Sequence, residues 1–320
     1  FPYTTFFRSL WQRSIVLAAA PGAEFPFVDN PIAGANFWIG RLTAIKVLAR
    51  YLGLAIWPWK VTADYSYSEI PLVHGSVWDW IACVLFVAVL FAVGFAFRRH
   101  RTIFFFACFG FLNLLPASNL LFPIGTIMAE RLLYLPLVGW LACIVIALDS
   151  VRRADILLAV IVAGFAVRTW VRNLDWKDDL TMATASVKAS PNSFKTHRLL
   201  AIALFQSQPD YSNIDRVLEE SNKSLAILKT LPDRLDIPSP WNESAAYHLA
   251  KGDSLHGAST GPYEQAVRMA QRAIAIEAGS RRPVAAESYR LMATGYLRLH
   301  NAEQALTAAM QARALDPSSV

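Results

Sequence analysis

A carboxylate and a guanidinium stand next to each other at Glu130 and Arg131, directly before the apolar run Leu132–Leu148. Ionisable groups at the edge of a hydrocarbon layer are energetically expensive and usually serve a function. A guanidinium can hold an anionic group and a carboxylate can accept a proton, so the two side chains are candidates for binding and catalysis. The alternative is an interfacial ion pair that only fixes the end of the helix.

A second group of ionisable residues lies in the polar and aromatic segment Lys60–Ser76, which contains Asp64, Glu69 and His74. Carboxylates on such a segment are candidates for contact with a substrate. A solvated connector at the aromatic belt of a membrane explains the same residues equally well, and the sequence leaves both interpretations open.

The cysteines, and the histidines of the C-terminal part, lack the spacing of metal ligands. The three cysteines fall inside apolar runs and are expected to be small packing residues. The histidines are expected at the surface or in packing positions. We therefore predict no metal site and no bound cofactor. The residues concerned are Cys83, Cys108, Cys143, His197, His248 and His256.

The composition is that of a membrane protein. Hydrophobic residues make up 55% of the 320 residues and charged residues 17%, and the mean hydropathy is +0.34. This balance excludes a disordered chain, and three cysteines are too few for a disulfide scaffold. The basic pI of about 9.3 comes mostly from arginines that flank apolar runs, which indicates membrane topology and not nucleic-acid binding.

The chain divides near Trp176. Residues 1–176 contain 14 Lys and Arg and 9 Asp and Glu, whereas the shorter remainder contains 16 and 15. We predict an all-α protein with a multi-pass transmembrane domain over residues 10–176 and a water-soluble domain over residues 177–320. Residues 1–9 fit no pattern and are expected to be a non-native leader, and the chain is expected to be the C-terminal part of a longer protein.

Four apolar runs have the length that crosses roughly 30 Å of hydrocarbon. Two of the short loops, one at 98–101 and one with Arg152 and Arg153, are rich in arginine, and the positive-inside rule assigns them to the cytoplasm. The C-terminal domain is then on the far side, in the lumen of the endoplasmic reticulum or in the periplasm. The predicted spans are Ile81–Phe97, Ile103–Phe122, Leu132–Leu148 and Ile156–Val171.

An earlier segment, Leu42–Trp59, is ambiguous because Lys46 and Arg50 lie four residues apart and so on one helix face. The segment spans the membrane if these cations face the interior of a bundle, and it is interfacial or re-entrant if they face the headgroups. We favour the interfacial or re-entrant interpretation.

The C-terminal domain has the period of tetratricopeptide repeats, which are stacked pairs of antiparallel helices. Taking Ala286 as the first position of a unit places large and small packing residues where this repeat requires them. Such stacks form a groove that binds extended peptide, and we assign Tyr289 and Tyr296 to it. The other matching residues are Met292, Ala293, Ala305, Ala312 and Pro317. Two looser helix pairs precede this unit: Phe194–Gln206 with Ile214–Leu228, and Trp241–Leu255 with Tyr263–Glu277. A further helix is predicted before them, over residues 178–188.

Five stretches resemble, in order and spacing, the family of transmembrane and tetratricopeptide-repeat proteins called TMTC and its bacterial relatives. The resemblance covers the chain from about Asp29 onward, and the stretch that begins at Pro116 is the most specific. The five stretches are DNP at Asp29–Pro31, ADYSYSEIPLV at Ala63–Val73, PASNLLFPIGTIMAERLLYLP at Pro116–Pro136, RTWVRNLDW at Arg168–Trp176 and SPNSFKTH at Ser190–His197.

The resemblance implies a glycosyltransferase of the GT-C type, which passes a sugar, here mannose, from a polyprenyl-phosphate carrier to Ser or Thr of proteins on the far side of the membrane. Arg131 would stand beside the leaving phosphate, and Glu130 would orient Arg131 or help to activate the acceptor. Asp64 is a weaker candidate for binding sugar, acceptor or metal. The catalytic acid that the family carries in its first far-side loop has no matched position in this chain.

The alternative function is a membrane-anchored scaffold, in which the helix repeats recruit partners without catalysis. The enzyme would have three partners: the lipid bilayer, the polyprenyl-phosphate-linked sugar as donor, and an acceptor polypeptide held by the repeats. Neither function implies nucleic acid as a partner.

Overall fold

The computed structural model describes residues 25–58, 60–149, 151–256, 258–280 and 284–317. Within these ranges the chain is helical and contains no strand, which confirms the all-α prediction. The expected leader at residues 1–9 lies outside them. The α-helices are α1 (Phe37–Ile56), α2 (Val77–Arg99), α3 (Arg101–Leu114), α4 (Tyr134–Leu148), α5 (Ala154–Asn173), α6 (Asp179–Ala189), α7 (Phe194–Ser207), α8 (Ile214–Leu228), α9 (Ser239–Ser254), α10 (Gly261–Gly279), α11 (Ala286–Arg298) and α12 (Ala302–Leu315).

Three helical stretches are long and apolar enough to cross a membrane: Val77–Arg99, Glu130–Leu148 and Ala154–Trp176. Many of their apolar side chains are exposed, and α5 buries none of its residues. Apolar surface of this extent is suited to contact with lipid or another protein, so the helices indicate membrane association. How often the chain crosses the membrane, and in which orientation, stays a prediction.

The second predicted span, Ile103–Phe122, differs from the structure in its second half. Helix α3 ends at Leu114 and continues only into a short 3-10 turn that contains Pro116. Proline has no amide hydrogen to continue the helical ladder. Asn119 then takes a left-handed backbone conformation with φ of 59°, and the rest of the predicted span is a loop that contacts α1 through Arg41.

Helices α3 and α4 approach each other closely because both carry glycine at their contact. A Cβ atom at Gly139 would overlap the backbone of Phe106 and Gly110. Across the same contact the Cys143 thiol donates to the carbonyl oxygen of Ile103 at 3.3 Å. The three cysteines are half-buried free thiols, in keeping with the packing role expected for them.

Helix α1, which holds most of the ambiguous segment Leu42–Trp59, is not one of the strongly apolar helices. Nζ of Lys46 lies 2.7 Å from Oδ1 of Asp79 in the first turn of α2, and NH2 of Arg50 lies 3.6 Å from Oε1 of Glu69. Lys46 and Arg50 of α1 therefore hold the segment that leads into α2 and the first turn of α2. The membrane position of α1 stays a prediction.

Helices α7 to α12 form three consecutive pairs in which each helix packs on its neighbour in sequence. Leu204, Val217 and Tyr247 share a core between the first and second pairs. Tyr263 and Leu291 share another between the second and third. Helix α6 packs on α7 and extends the stack toward α5.

The last pair, α11 and α12, depends on small residues. Ala305, Ala308 and Ala312 of α12 are buried, and Gly295 of α11 leaves no room for a Cβ atom beside Val267 of α10. Larger side chains would force the helices apart, because packed interiors tolerate little added volume. Ala305 and Ala312, which the repeat pattern assigned to small packing positions, are therefore buried contacts, whereas Ala293 is half-buried.

We predict that the helix stack loses stability in mild acid through His248 of α9. Burial, and then the cations Lys251 and Arg268, lower the pKa of His248 to about 4 from its usual value of 6.5. Between pH 6.5 and about pH 4, His248 is therefore protonated in the unfolded chain but neutral in the folded chain. The free energy of unfolding falls as the pH drops through this range. The loss should reach about 2–3 kcal/mol.

Thermal unfolding in detergent at a series of pH values measures this effect. His248→Gln should remove most of the difference between pH 7 and pH 4.5, whereas His256→Asn, a change at an exposed histidine, should leave it. An identical pH dependence in the parent chain and His248→Gln would contradict the prediction.

Candidate functional site

The backbone that leads into Glu130 is held by a tyrosine of α1. The hydroxyl of Tyr51 donates to the carbonyl oxygen of Ala129 at 3.1 Å and accepts from the amide of the same residue at 2.8 Å. Tyr51 is fully buried. Glu130 follows at the start of a 3-10 turn, Glu130–Leu133, that continues into α4. The position of its carboxylate is therefore tied to α1 as well as to α4.

The carboxylate of Glu130 is oriented by the segment Lys60–Ser76. Oε1 of Glu130 accepts from the amide of Thr62 at 2.6 Å and from the hydroxyl of Tyr65 at 2.7 Å. Oε2 makes no hydrogen bond with the described residues. One oxygen is therefore fixed by the protein, and the other is available to a substrate.

Tyr65 keeps its proton and serves Glu130 as a hydrogen-bond donor. The ring is buried, and burial, followed by the charge of Glu130, raises the pKa of the Tyr65 phenol far above its usual range. The guanidinium carbon of Arg50 lies 5.2 Å from the centre of the Tyr65 ring, a distance typical of a cation–π contact. Glu130 was recognisable in the sequence as a charge before an apolar run, whereas no local pattern marked Thr62, Tyr65 or Tyr51 as its partners.

Arg131 is exposed, and its guanidinium makes no hydrogen bond or ion pair with the described part of the chain. No ion pair joins Arg131 to Glu130 in the described part of the chain, where the contacts of the Glu130 carboxylate are with Thr62 and Tyr65. A cation next to an oriented carboxylate at the head of an apolar helix can bind a phosphate that carries a lipid tail.

The other predicted acid, Asp64, is engaged within the protein. It accepts from the amide and hydroxyl of Ser66, both at 2.8 Å, and from the hydroxyl of Ser193 at 2.9 Å. Lys195 lies 3.9 Å away. Asp64 makes no hydrogen bond to Glu130, so the structure gives the two predicted acids different partners. The contacts of Asp64 connect its segment to the start of α7.

Further contacts join the same segment to the first helix pair. Lys195 of α7 pairs with Asp29 at 2.8 Å, and Glu69 accepts from the amide of Asn192 at 3.3 Å. Burial, opposed by Arg50, raises the pKa of Glu69. An apolar cluster joins the same parts of the chain and consists of Val28, Phe194, Leu228 and Leu231, with Phe27, Tyr67, Ile227 and Ile237 packed against it.

Two stretches that carry the family resemblance are held together by a pair of buried asparagines. Nδ2 of Asn30 donates to Oδ1 of Asn119 at 2.8 Å and to the carbonyl of Ile124 at 2.7 Å. Nδ2 of Asn119 in turn donates to the carbonyls of Thr126 and Ile127. These bonds give the loop that precedes Glu130 a defined shape.

The two tyrosines assigned to a peptide groove lie on one face of α11, because they are seven residues apart. Both are half-buried, and the hydroxyl of Tyr296 accepts from Nε2 of Gln271 on α10 at 3.1 Å. Their contact with a peptide stays a prediction.

The described residues contain no group of three His, Cys, Asp or Glu side chains arranged for a metal ion. His197, expected at the surface or in a packing position, is buried between Oε2 of Glu220 at 2.6 Å and the carbonyl of Pro191 at 2.9 Å. Its role is to connect α7, α8 and the turn before α7.

These features define a class of protein: a helical chain with apolar helices of membrane-spanning length, a charged site at the head of one of them, and a stack of helix pairs docked beside that site. No protein-family model matches the chain.

The chain is similar to proteins named Protein O-mannosyl-transferase. It is 28% identical to TMTC3 of Homo sapiens over 211 residues, which is 61% of this chain and 22% of that protein. It is 28% identical to TMTC4 of Mus musculus over 59% of the chain and 27% of that protein. It is 29% identical to F38B6.6 of Caenorhabditis elegans over 59% of the chain and 30% of that protein.

These relatives confirm the resemblance to the TMTC family. The chain spans between 22% and 30% of the length of the three relatives, so what the complete proteins do is a proposal for this chain.

Proposed function

We propose that this chain is part of an integral-membrane protein O-mannosyltransferase, which transfers mannose from a polyprenyl-phosphate carrier to Ser or Thr of an acceptor protein. The observation that carries the proposal is the pair at the head of α4: a carboxylate with one oxygen fixed and one open, next to a cation with no partner among the described residues. The similarity to proteins named O-mannosyl-transferases supports it.

In this proposal Arg131 binds the phosphate of the carrier, whose lipid tail lies in the bilayer beside α4. The positive charge stabilises the phosphate that leaves when the bond to the sugar breaks. Glu130 uses its open oxygen, Oε2, to orient the Arg131 guanidinium or to accept the proton of the attacking hydroxyl. The family's catalytic acid has no matched position in this chain, so the activity is proposed for the complete protein.

The stack of helix pairs, which we take to be tetratricopeptide-like, holds the acceptor polypeptide. It lies on the far side of the membrane in the orientation that the arginine-rich loops favour, either in the lumen of the endoplasmic reticulum or in the periplasm. The contacts of Asp64 with Ser193 and Lys195, which we call the docked joint, connect the stack to the membrane part of the chain. Because Asp64 is next to Tyr65, which binds Glu130, these contacts support the proposal that the stack and the membrane part act together.

Transfer by the complete protein tests the proposal. With radiolabelled polyprenyl-phosphate mannose and a Ser- and Thr-containing acceptor peptide, Arg131→Ala should lower kcat/KM by about 10- to 100-fold, because a charge-assisted bond to the phosphate is lost. The KM for the carrier should rise.

Arg101→Gln is the matched control, since Arg101 is an exposed arginine at the start of α3. It should transfer like the parent protein. Binding of acceptor peptide without any transfer by the complete protein would overturn the proposal in favour of the scaffold function.

A further inference from the structure

A basic cleft of about 680 Å³ lies between the end of α5, the segment at Lys60 and helix α6. Four cations line it: Lys60, Arg168, Arg172 and Lys188. Among its described lining residues the one carboxylate is Asp175, and Arg172 holds this group at 2.7 Å. Lys60 and Lys188 make no ion pair with the described residues, so their positive charge makes the cleft suited to an anionic group such as a phosphate.

An apolar groove of about 500 Å³ adjoins this cleft and shares Arg168 with it. The groove runs along α5 past Val160 and Gly164, and Trp57 and Pro58 form its other side. A Cβ atom at Gly164 would meet no atom within 4 Å, so the groove is open at that point. Its dimensions and apolar walls suit a hydrocarbon chain.

Exposed tryptophans stand at the level where the cleft and the groove meet. Trp57, Trp170 and Trp176 are 65%, 75% and 59% exposed. Tryptophan concentrates at the boundary between hydrocarbon and headgroups, so these residues mark that boundary on the protein. The cleft is then at headgroup height and the groove at the depth of the lipid chains.

We propose that the cleft and the groove together bind one anionic phospholipid of the bilayer. Its phosphate lies among the four cations, and one acyl chain lies along α5. The lipid thereby joins α5, which buries no residue of its own, to α6 and so to the helix stack. The sugar carrier is a poorer occupant, because transfer needs a carboxylate near the phosphate and Asp175 is already engaged by Arg172.

Thermal unfolding of the chain in a zwitterionic detergent tests this proposal independently of transfer activity. Dioleoyl phosphatidylglycerol should raise the unfolding temperature, since a ligand that binds only the folded state stabilises it. Phosphatidylcholine at the same mole fraction should not. Lys60→Gln with Lys188→Gln should weaken the apparent affinity about 25-fold, or about fivefold for each lysine.

Matched variants distinguish specific binding of the lipid in the cleft and groove from non-specific electrostatic attraction of anionic lipid to the protein. Lys177→Gln removes the same charge near the cleft but not from its lining, and its affinity should stay within about twofold of the parent. Gly164→Leu fills the groove and should weaken binding of phosphatidylglycerol. Gly94→Leu, which also meets open space, should not.

Four results would overturn the proposal. One is an equal loss of affinity in Lys177→Gln and in the double lysine variant. The second is an equal temperature shift with inorganic phosphate alone, which would assign the cleft to a free anion. The third is unchanged binding in Gly164→Leu. The fourth is about tenfold tighter binding of a polyprenyl phosphate, which would assign the cleft to the sugar carrier.

Discussion

Glu130→Gln is expected to reduce mannosyl transfer by the complete protein by about 100-fold or more, with the fold intact. The amide oxygen can still accept from Thr62 and Tyr65, so the two hydrogen bonds that orient residue 130 are kept. The variant lacks the negative charge that accepts a proton or orients the Arg131 guanidinium. The measurement is kcat/KM for transfer, together with the unfolding temperature of the same preparation.

Glu69→Gln is the matched control for the charge change. Glu69 is a carboxylate of the neighbouring segment whose partners are Arg50 and Asn192, and its loss should change transfer by less than about threefold. Tyr65→Phe tests the orienting bond and should lower transfer by an intermediate amount. Transfer at the parent rate in a folded Glu130→Gln would exclude a catalytic role for Glu130.

Asn119→Ala is expected to destabilise the membrane part of the chain by at least about 3 kcal/mol. Asn119 is itself buried; it accepts from Asn30 and from the amide of Ile124 and donates to the carbonyls of Thr126 and Ile127. Alanine leaves these groups without partners and is strained at a φ of 59°. Thermal unfolding in detergent measures the loss.

Two further variants separate the causes. Asn119→Gly tolerates the left-handed backbone but lacks the bonds, so it should recover only about 1 kcal/mol. Asn113→Ala removes an exposed asparagine that donates only to the carbonyl of Phe109 in its own helix, and it should cost less than about 0.5 kcal/mol. Equal unfolding temperatures for Asn119→Ala and Asn113→Ala would refute the assigned role of Asn119.

The helices were predictable because their signals are local. Apolar runs bounded by arginine predicted α2, α4 and α5, and the alternation of large and small residues around Ala305 and Ala312 predicted the last pair. Glu130 and Arg131 could be singled out for the same reason, since charge directly before an apolar helix is visible in the chain order. The end of α3 was not predicted although Pro116 and Asn119 are breaker residues, because the apolar run continues on both sides of them and extended the predicted span to Phe122.

The partners of these residues could not be predicted, because they are distant in sequence. Thr62 and Tyr65 contact Glu130 across 68 and 65 positions, and no local pattern indicates such a pairing. Asp64 resembled a site residue because it is an acid among aromatic residues. Its binding to Ser193, across 129 positions, depends on how the helix stack docks.

The docked joint has a consequence for how a long substrate would be handled. Asp29, Asp64 and Glu69 attach the membrane-side segments to the beginning of α7 through Lys195, Ser193 and Asn192. These three contacts connect the start of the stack to the membrane-side segments. In the proposed function, a polypeptide bound along the stack would present its hydroxyl groups at one height above the bilayer, so the modified position would be selected by its distance along the polypeptide from the point of attachment.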